Sequence, residues 1–220
     1  MHETVDNNFF NPAAVVDLAL PGTILDGYAR NDPSRPYAFC SVFKMEGRKG
    51  WKELVEGFMR EFSSTSNVVL ILRTYLHTGT GITKDNFNRA AIRKEIDDHL
   101  LWNGLPLSNA STNGPRIEIV SEHLPSWQLV SFYKSCDAFV LSTHAEGWGL
   151  PTHEAMIMGL PVITTNWGGS TEFVTPESGL LIKIAGYAPT EGDEWLKGYQ
   201  WAAIDIPHLQ QLMRTLFSNR

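Results

Sequence analysis

The feature that most limits the fold of this chain is an alternation of short apolar, often β-branched runs with longer amphipathic stretches. The short runs are "YAFCSVF" (37–43), "NVVLILRT" (67–74), "RIEIVSE" (116–122), "DAFVLST" (137–143), "PVITT" (161–165) and "GLLIKI" (179–184). Runs of that length between turn-forming residues read as strands. "NVVLILRT" is almost continuously apolar, as a strand covered on both faces should be. Between the runs lies "KGWKELVEGFMREFS" (49–63), where Trp51, Leu54, Val55, Phe58, Met59 and Phe62 recur at helical spacing. Further helices are expected around 84–100, over "PSWQLVSFYKSC" (125–136), "PTHEAMIM" (151–158) and about 206–219, with a helical turn at "GSTEFVT" (169–175). Strands separated by helices require crossover connections, and right-handed crossovers build a parallel sheet. The expectation is therefore an α/β chain with a Rossmann-like, doubly wound parallel sheet of about six strands.

The remaining segments follow from turn chemistry. Residues 1–36, crowded with Asn, Asp and Pro, read as an irregular segment ahead of a domain over 37–220. "AGYAPTEGDEWLKGYQW" (185–201) reads as an irregular loop. Ser126 is expected to cap the helix over 125–136, Pro151 to open the following helix and Gly159 to end it.

Composition narrows the partners. A net charge of −6 argues against nucleic acid. Cys40 and Cys136 each lie in or beside an apolar run and read as buried small hydrophobes rather than a disulfide. The seven histidines show no metal-ligand spacing, so no metal and no cofactor is expected. No segment reaches the roughly 18–20 apolar residues of a membrane span, and "MHETVDNNFF" lacks a signal-peptide layout. The reading is a soluble protein of a reducing, cytoplasmic compartment, with peripheral membrane attachment left open. The chain begins and ends without clear domain-end features, as though cut from something longer.

In an open α/β sheet, ligands bind beyond the carboxyl ends of the strands. Lys44 and "MEGRKG" follow the first strand, Arg73 and Thr74 the second, and Ser121, Glu122 and His123 the third. "THAEGWGLP" follows the fourth and "NWGGSTE" the fifth. Cations thus gather after two strands, and carboxylates with glycines after another. Two helices begin at glycine-bearing turns, where free N–H groups suit an anion. A ligand with phosphates at one place and hydroxyls at another fits this layout, which describes a nucleotide sugar. Glu146 and Glu154 flank the turn in "HAEGWGLPTHEAM", and a carboxylate can accept from two adjacent hydroxyls. Taken singly, each residue also has a plain structural reading. Glu154 suits a helix start, Glu146 a solvated loop, Lys44, Arg48 and Lys49 a charged surface, Arg73 a salt bridge, Trp148 a core, and His123 and His144 structural roles. Their joint placement at strand ends favours a site.

The segment "DAFVLSTHAEGWGLPTHEAMIMGLPVITTNWGGSTEFV" resembles the retaining glycosyltransferases of GT-B architecture, in particular glycosyltransferase family 4 (the "glycosyl transferases group 1" domain). The family pattern is two glutamates separated by seven residues, with Gly-aromatic-Gly-Leu-Pro after the first. Glu146, Gly147, Trp148, Gly149, Leu150, Pro151 and Glu154 match it. "SVFKMEGRKGW" resembles a second signature, a basic residue followed five positions later by Lys-Gly; here these are Lys44 and Lys49-Gly50. Lys44 stands where an arginine is common, which keeps the charge and loses the bidentate fork. The likeness spans roughly 39–219 and is to the C-terminal, donor-binding half.

The resemblance implies a donor-binding domain that helps move a sugar from a nucleoside diphosphate sugar to an acceptor hydroxyl with retention of configuration. Glu146, Lys44 and Lys49 would be the catalytic set, with Glu146 and the N–H groups after it facing the transferred sugar and the lysines neutralising the leaving diphosphate. Gly147, Trp148, Gly149 and Leu150 would bind donor, Glu154 would take the ribose hydroxyls, and segments near Arg73 and Ser121 would line the base. Lysines and a helix N-terminus supply the charge, so no metal is implied. The acceptor, whether glycan, lipid or protein, would sit largely on an N-terminal domain absent from this chain, so transfer by the chain alone is expected to be poor. Three other readings compete: an inactive nucleotide-binding or scaffold module, a Rossmann oxidoreductase, and a phosphorylase. The oxidoreductase is disfavoured because no G-x-G-x-x-G follows the first strand.

Overall fold

The computed structural model describes residues 5–6, 9–13, 23–76, 84–108, 114–122, 124–190 and 196–219. The six apolar runs become β1 (Tyr37–Met45), β2 (Val68–Leu76), β3 (Arg116–Val120), β4 (Ala138–Leu141), β5 (Val162–Thr165) and β6 (Leu180–Ile182). They pair in parallel in the order β3-β2-β1-β4-β5-β6. The chain thus builds outward from β1 to β3, then returns to lay β4 against the free side of β1. That reversal opens a crevice beyond the carboxyl ends of β1 and β4, where such sheets take ligands.

Helices α1 (Trp51–Glu61), α2 (Arg89–Trp102), α3 (Ser126–Lys134), α4 (Leu150–Ile157) and α5 (Ile206–Ser218) flank the sheet. Strand side chains alternate between faces, and the two faces of β1 show where the helices go. Phe39 packs on Phe58 of α1 and on Phe62 just past its end, while Tyr37 meets Phe217 of α5. Cys40, on the other face, faces Cys136 just beyond α3. Both cysteines are free and fully buried, as expected. Burial pushes the Cys40 thiol well up, with the neighbouring Cys136 adding to it.

Three local expectations are corrected. The stretch 185–201 is not an irregular loop: β7 (Ile184–Pro189) and β8 (Gln200–Ile204) form an antiparallel pair. Ala, Gly and Pro in β7 mask its strand character, and burial of Trp201, Ala202 and Ile204 supplies what propensity lacks. Ser126 does not cap α3; Pro125, extended at φ −60 and ψ 155, holds that position without a side-chain bond. Ser126 is already the first helical residue, so its hydroxyl is not at the capping position. Helix α4 begins at Leu150, with Pro151 second and Gly149 as its cap. Glu154 is therefore its fifth residue, past the first turn in which the helix dipole acts on an acid.

Candidate functional site

Residues Gly47–Lys49 form a single 3-10 turn after β1, closed by Gly50 at φ 61. The backbone there lies so close to β4 that a Cβ on Gly50 would overlap the Ser142 carbonyl oxygen. The Ser142 hydroxyl in turn donates to the Gly50 carbonyl at 2.8 Å. The Arg48 carbonyl accepts from the His144 N–H at 2.9 Å and from the Thr143 hydroxyl at 3.0 Å. These bonds fasten the β1 turn to the loop after β4.

The fastening brings charges together. Lys49 Nζ lies 2.5 Å from Glu146 Oε1. The Arg48 guanidinium donates to the Ala145 carbonyl at 2.9 Å and stands 3.4 Å from Glu146 Oε2. It also meets Glu46 at 2.6 Å, and Glu46 lies 3.5 Å from Lys44. Three cations against two carboxylates leave this chain of contacts one positive charge in excess. The inner pair is nearly dry, with Lys49 and Glu146 side chains 11% and 7% exposed. Lys44 and Arg48 keep a third or more of their side-chain surface open.

A cavity of about 870 Å³ adjoins this cluster, lined by Arg48, Lys49 and residues 145–151. Its rim is built by close backbone packing. Gly149 sits at φ 88, and a Cβ there would overlap the Ser170 hydroxyl. A Cβ on Gly169 would overlap the Gly147 carbonyl, and the Gly169 N–H donates to the Glu146 carbonyl at 2.9 Å. Trp148 lines the cavity, and its indole N–H donates to His153 Nδ1 at 3.2 Å. Phe173 stacks on His153 at 4.8 Å. Burial lowers the His153 pKa, which keeps the ring neutral and its Nδ1 able to accept.

Glu154 lies off this cavity. Its Oε2 accepts from the Tyr133 hydroxyl at 2.8 Å. Burial raises the Glu154 carboxyl above the usual glutamate value, and the Tyr133 bond opposes the rise. Burial, then the neighbouring Glu154 charge, pushes the Tyr133 hydroxyl well up. Arg73 pairs in register with Val42 and Val120, and Tyr75 with Lys44, so Arg73 and Lys44 share one face of the sheet. The Arg73 guanidinium lies over the Tyr75 ring at 5.7 Å, within electrostatic reach of Tyr133. Its Nε is buried without a hydrogen-bond partner, and burial lowers its pKa. Ser121 is buried directly after β3. The structure therefore unites Lys44, Lys49 and Glu146 and sets Gly147–Leu150 on the cavity wall. Glu154 and Arg73 belong to a second polar group near Tyr133, and His123 lies outside the described residues.

Sequence reasoning missed three contributors. Arg48 was weighed only as a surface cation, and nothing in its spacing separates it from Lys49. Tyr133 lies within the helix expected over 125–136, and nothing in the sequence singles it out. Trp201 of β8 ends the stretch that reads as a loop, yet its ring stacks on His144 at 4.7 Å and lies against Gly47. The run "WAAI" was the signal available for it. Among the described residues, no three His, Cys, Asp or Glu side chains are placed to hold a metal ion, and no helix is long and apolar enough to cross a membrane.

The model of the family "Glycosyl transferases group 1" matches residues 118–187. The chain is 42% identical over 72 residues to the lipopolysaccharide core biosynthesis mannosyltransferase LpsB of Rhizobium meliloti, covering 30% of this chain and 19% of that one. It is 29% identical over 136 residues to the capsular polysaccharide biosynthesis glycosyltransferase CapM of Staphylococcus aureus, covering 61% and 30%. The match thus spans less than a third of either relative. Among solved structures, the C-terminal domain of the Francisella tularensis group 1 glycosyl transferase LpcC has a TM-score of 0.55 at 22% identity, covering 82% of this chain and 80% of that one. A Rickettsia africae glycosyltransferase has a TM-score of 0.63 at 16% identity, covering 97% and 45%. Anabaena HepE in complex with UDP has a TM-score of 0.56 at 16% identity, covering 84% and 40%. At those identities the structures speak for the fold, a Rossmann-like α/β sheet of the kind found in GT-B glycosyltransferases. The family that the model and both sequence relatives support in common is the glycosyl transferases group 1.

Proposed function

We propose that this chain is the donor-binding part of a retaining glycosyltransferase, of the family 4 type, which moves a sugar from a nucleoside diphosphate sugar to an acceptor hydroxyl. The observation that carries the reading is the Lys44–Glu46–Arg48–Glu146–Lys49 chain of charges at the crevice between β1 and β4. A leaving diphosphate needs positive charge placed before the reaction starts. Lys44 and Arg48 are open enough to reach it, and the α4 N-terminus adds free N–H groups. As phosphates draw Lys49 toward them, Glu146 is freed to accept from hydroxyls of the transferred sugar. Its role is positioning; attack on the same face of the sugar as the departing diphosphate yields retention. Glu154 takes the ribose hydroxyls and Arg73 stands at the base end, with Ser121 beside it. The lysines and arginine make the reaction metal-independent.

A solved neighbour bound to UDP makes uracil the first base to test. The two sequence relatives act in lipopolysaccharide core and capsular polysaccharide biosynthesis, which makes a saccharide the first acceptor to test. Exposed Trp167 and Tyr187, 5.2 Å apart and edge to face, form a corner beside Gly168 that suits the C–H face of a sugar ring. The acceptor half is supplied by a further N-terminal domain, and the setting is the cytoplasm, with peripheral membrane attachment compatible. Calorimetry with UDP, GDP and ADP tests the reading. Binding of one of them by the wild type, weakened at least tenfold in Lys49→Ala, is expected; no binding of any refutes it. Binding without transfer by the complete protein favours the inactive-module reading instead.

A further inference from the structure

His144 stands two residues ahead of Glu146 and is 6% exposed. Its ring lies nearly parallel to Trp201 of β8, 4.7 Å away at 12°. Nδ1 is 2.6 Å from the Ala202 carbonyl oxygen, and Nε2 is 3.3 Å from Glu53 Oε2 on α1. A backbone carbonyl and a carboxylate only accept hydrogen bonds. A neutral imidazole has one N–H, so it would satisfy one oxygen and turn a lone pair on the other. The imidazolium, with two N–H groups, satisfies both.

We infer that His144 is a positively charged clamp, a positioning residue whose retained proton holds β8 and α1 against the loop that carries Glu146. The backbone points the same way. The His144 N–H donates to the Arg48 carbonyl at 2.9 Å, and its carbonyl accepts from the Ala202 N–H at 3.3 Å. One residue thus ties the cation-bearing turn, the carboxylate-bearing loop, the β7–β8 pair and α1. Stacking on an indole face further favours a cation. The charged groups on the elements it touches are Glu53 on α1, with Lys52 beside that carboxylate, and Arg48 in the β1 turn; Glu146, two residues on in its own loop, is paired with Arg48 and Lys49. Burial alone would raise the Glu53 carboxyl, yet the His144 bond and charge, together with a backbone hydrogen bond and the Lys52 charge, more than offset it, and Glu53 is held below the usual glutamate value. His99 makes the contrast. Its Nε2 lies 4.0 Å from Glu56 without a hydrogen bond, and burial lowers its pKa.

The functional half of this inference rests on the donor-binding reading. A histidine that keeps its proton in the fold contributes stability fully present below its unfolded value, about 6.5, and lost as pH rises through its folded one. Above that point β8 loosens from residues 144–146, and nucleotide affinity falls. A charged hydrogen bond of the usual strength corresponds to a loss of about tenfold.

Two measurements on the full chain test it. In ¹H–¹⁵N spectra of the wild type, the His144 ring should carry protons on both nitrogens at pH 7 and titrate above about 6.5; a neutral single tautomer at pH 7 overturns the clamp. UDP affinity, followed by calorimetry from about pH 6 to 9, should weaken through the same titration; an affinity that ignores the His144 titration overturns the coupling. In Glu53→Gln the side-chain amide can donate to a neutral His144 Nε2, so both bonds survive without the charge and the pH dependence should flatten. If UDP binds at no pH, the donor reading falls, while the ring spectrum still decides the clamp.

Discussion

Lys49 and Glu146 meet at 2.5 Å with both side chains almost out of water. Removing one member of such a pair strands the other's charge, and Arg48 at 3.4 Å compensates only in part. Lys49→Met should cost about 2 kcal/mol in urea denaturation, while the double variant Lys49→Met/Glu146→Gln should recover most of it. A second expectation concerns Glu154, whose carboxyl burial has raised. Because the folded value lies above the unfolded one, this group's contribution to stability falls as pH climbs from the usual glutamate range through the raised value. UDP affinity should rise over that same window, because only the carboxylate accepts two hydroxyl bonds. Tyr133→Phe removes the bond that holds the value down, so the rise should move to higher pH; calorimetry across about pH 4 to 7 would show it. Glu146 and Lys49 were legible in the sequence because each follows a strand end inside a recognisable spacing. Tyr133 was not, since its role depends on how α3 lies over α4, which no periodicity encodes.

At the scale of elements, the turn at Gly47–Gly50 is held by contact with residues 142–144 just after β4, and its tolerance follows from that. Gly50→Ala combines a φ of 61 with overlap on the Ser142 carbonyl, so it should cost at least about 3 kcal/mol, read as a lower urea midpoint. Gly159 also has positive φ, at 77, but open space around it, so Gly159→Ala should cost only about 1–2 kcal/mol. The six strands of the main sheet were legible because both sheet faces are buried, which forces near-continuous apolar runs. The β7–β8 pair was not. One of its strands carries Gly186 and Pro189, and the pairing is stabilised by packing on Gly47 and His144, more than fifty residues from β8 in the chain. A tertiary cause of that kind leaves little local trace.

At the scale of the molecule, the order β3-β2-β1-β4-β5-β6 explains why one crevice collects groups from remote segments. Under the proposed function this sheet forms one wall of a cleft. Nucleotide binding without appreciable sugar transfer is expected of these 220 residues alone. Transfer should appear when they are joined to a second, acceptor-carrying domain, as a radiolabelled-sugar assay would show. Melting temperature should rise with UDP, because saturation at a hundred times Kd adds about 2.7 kcal/mol to the folded state.

The 97-residue separation of Lys49 and Glu146 has a consequence for biosynthesis. A ribosome must release both segments, and β4 must zip onto β1, before this pair can form. If the pair belongs to a nucleotide site as proposed, truncated or half-folded chains should be blind to nucleotide, and a protease challenge in the presence of UDP should spare only molecules whose central strands have joined.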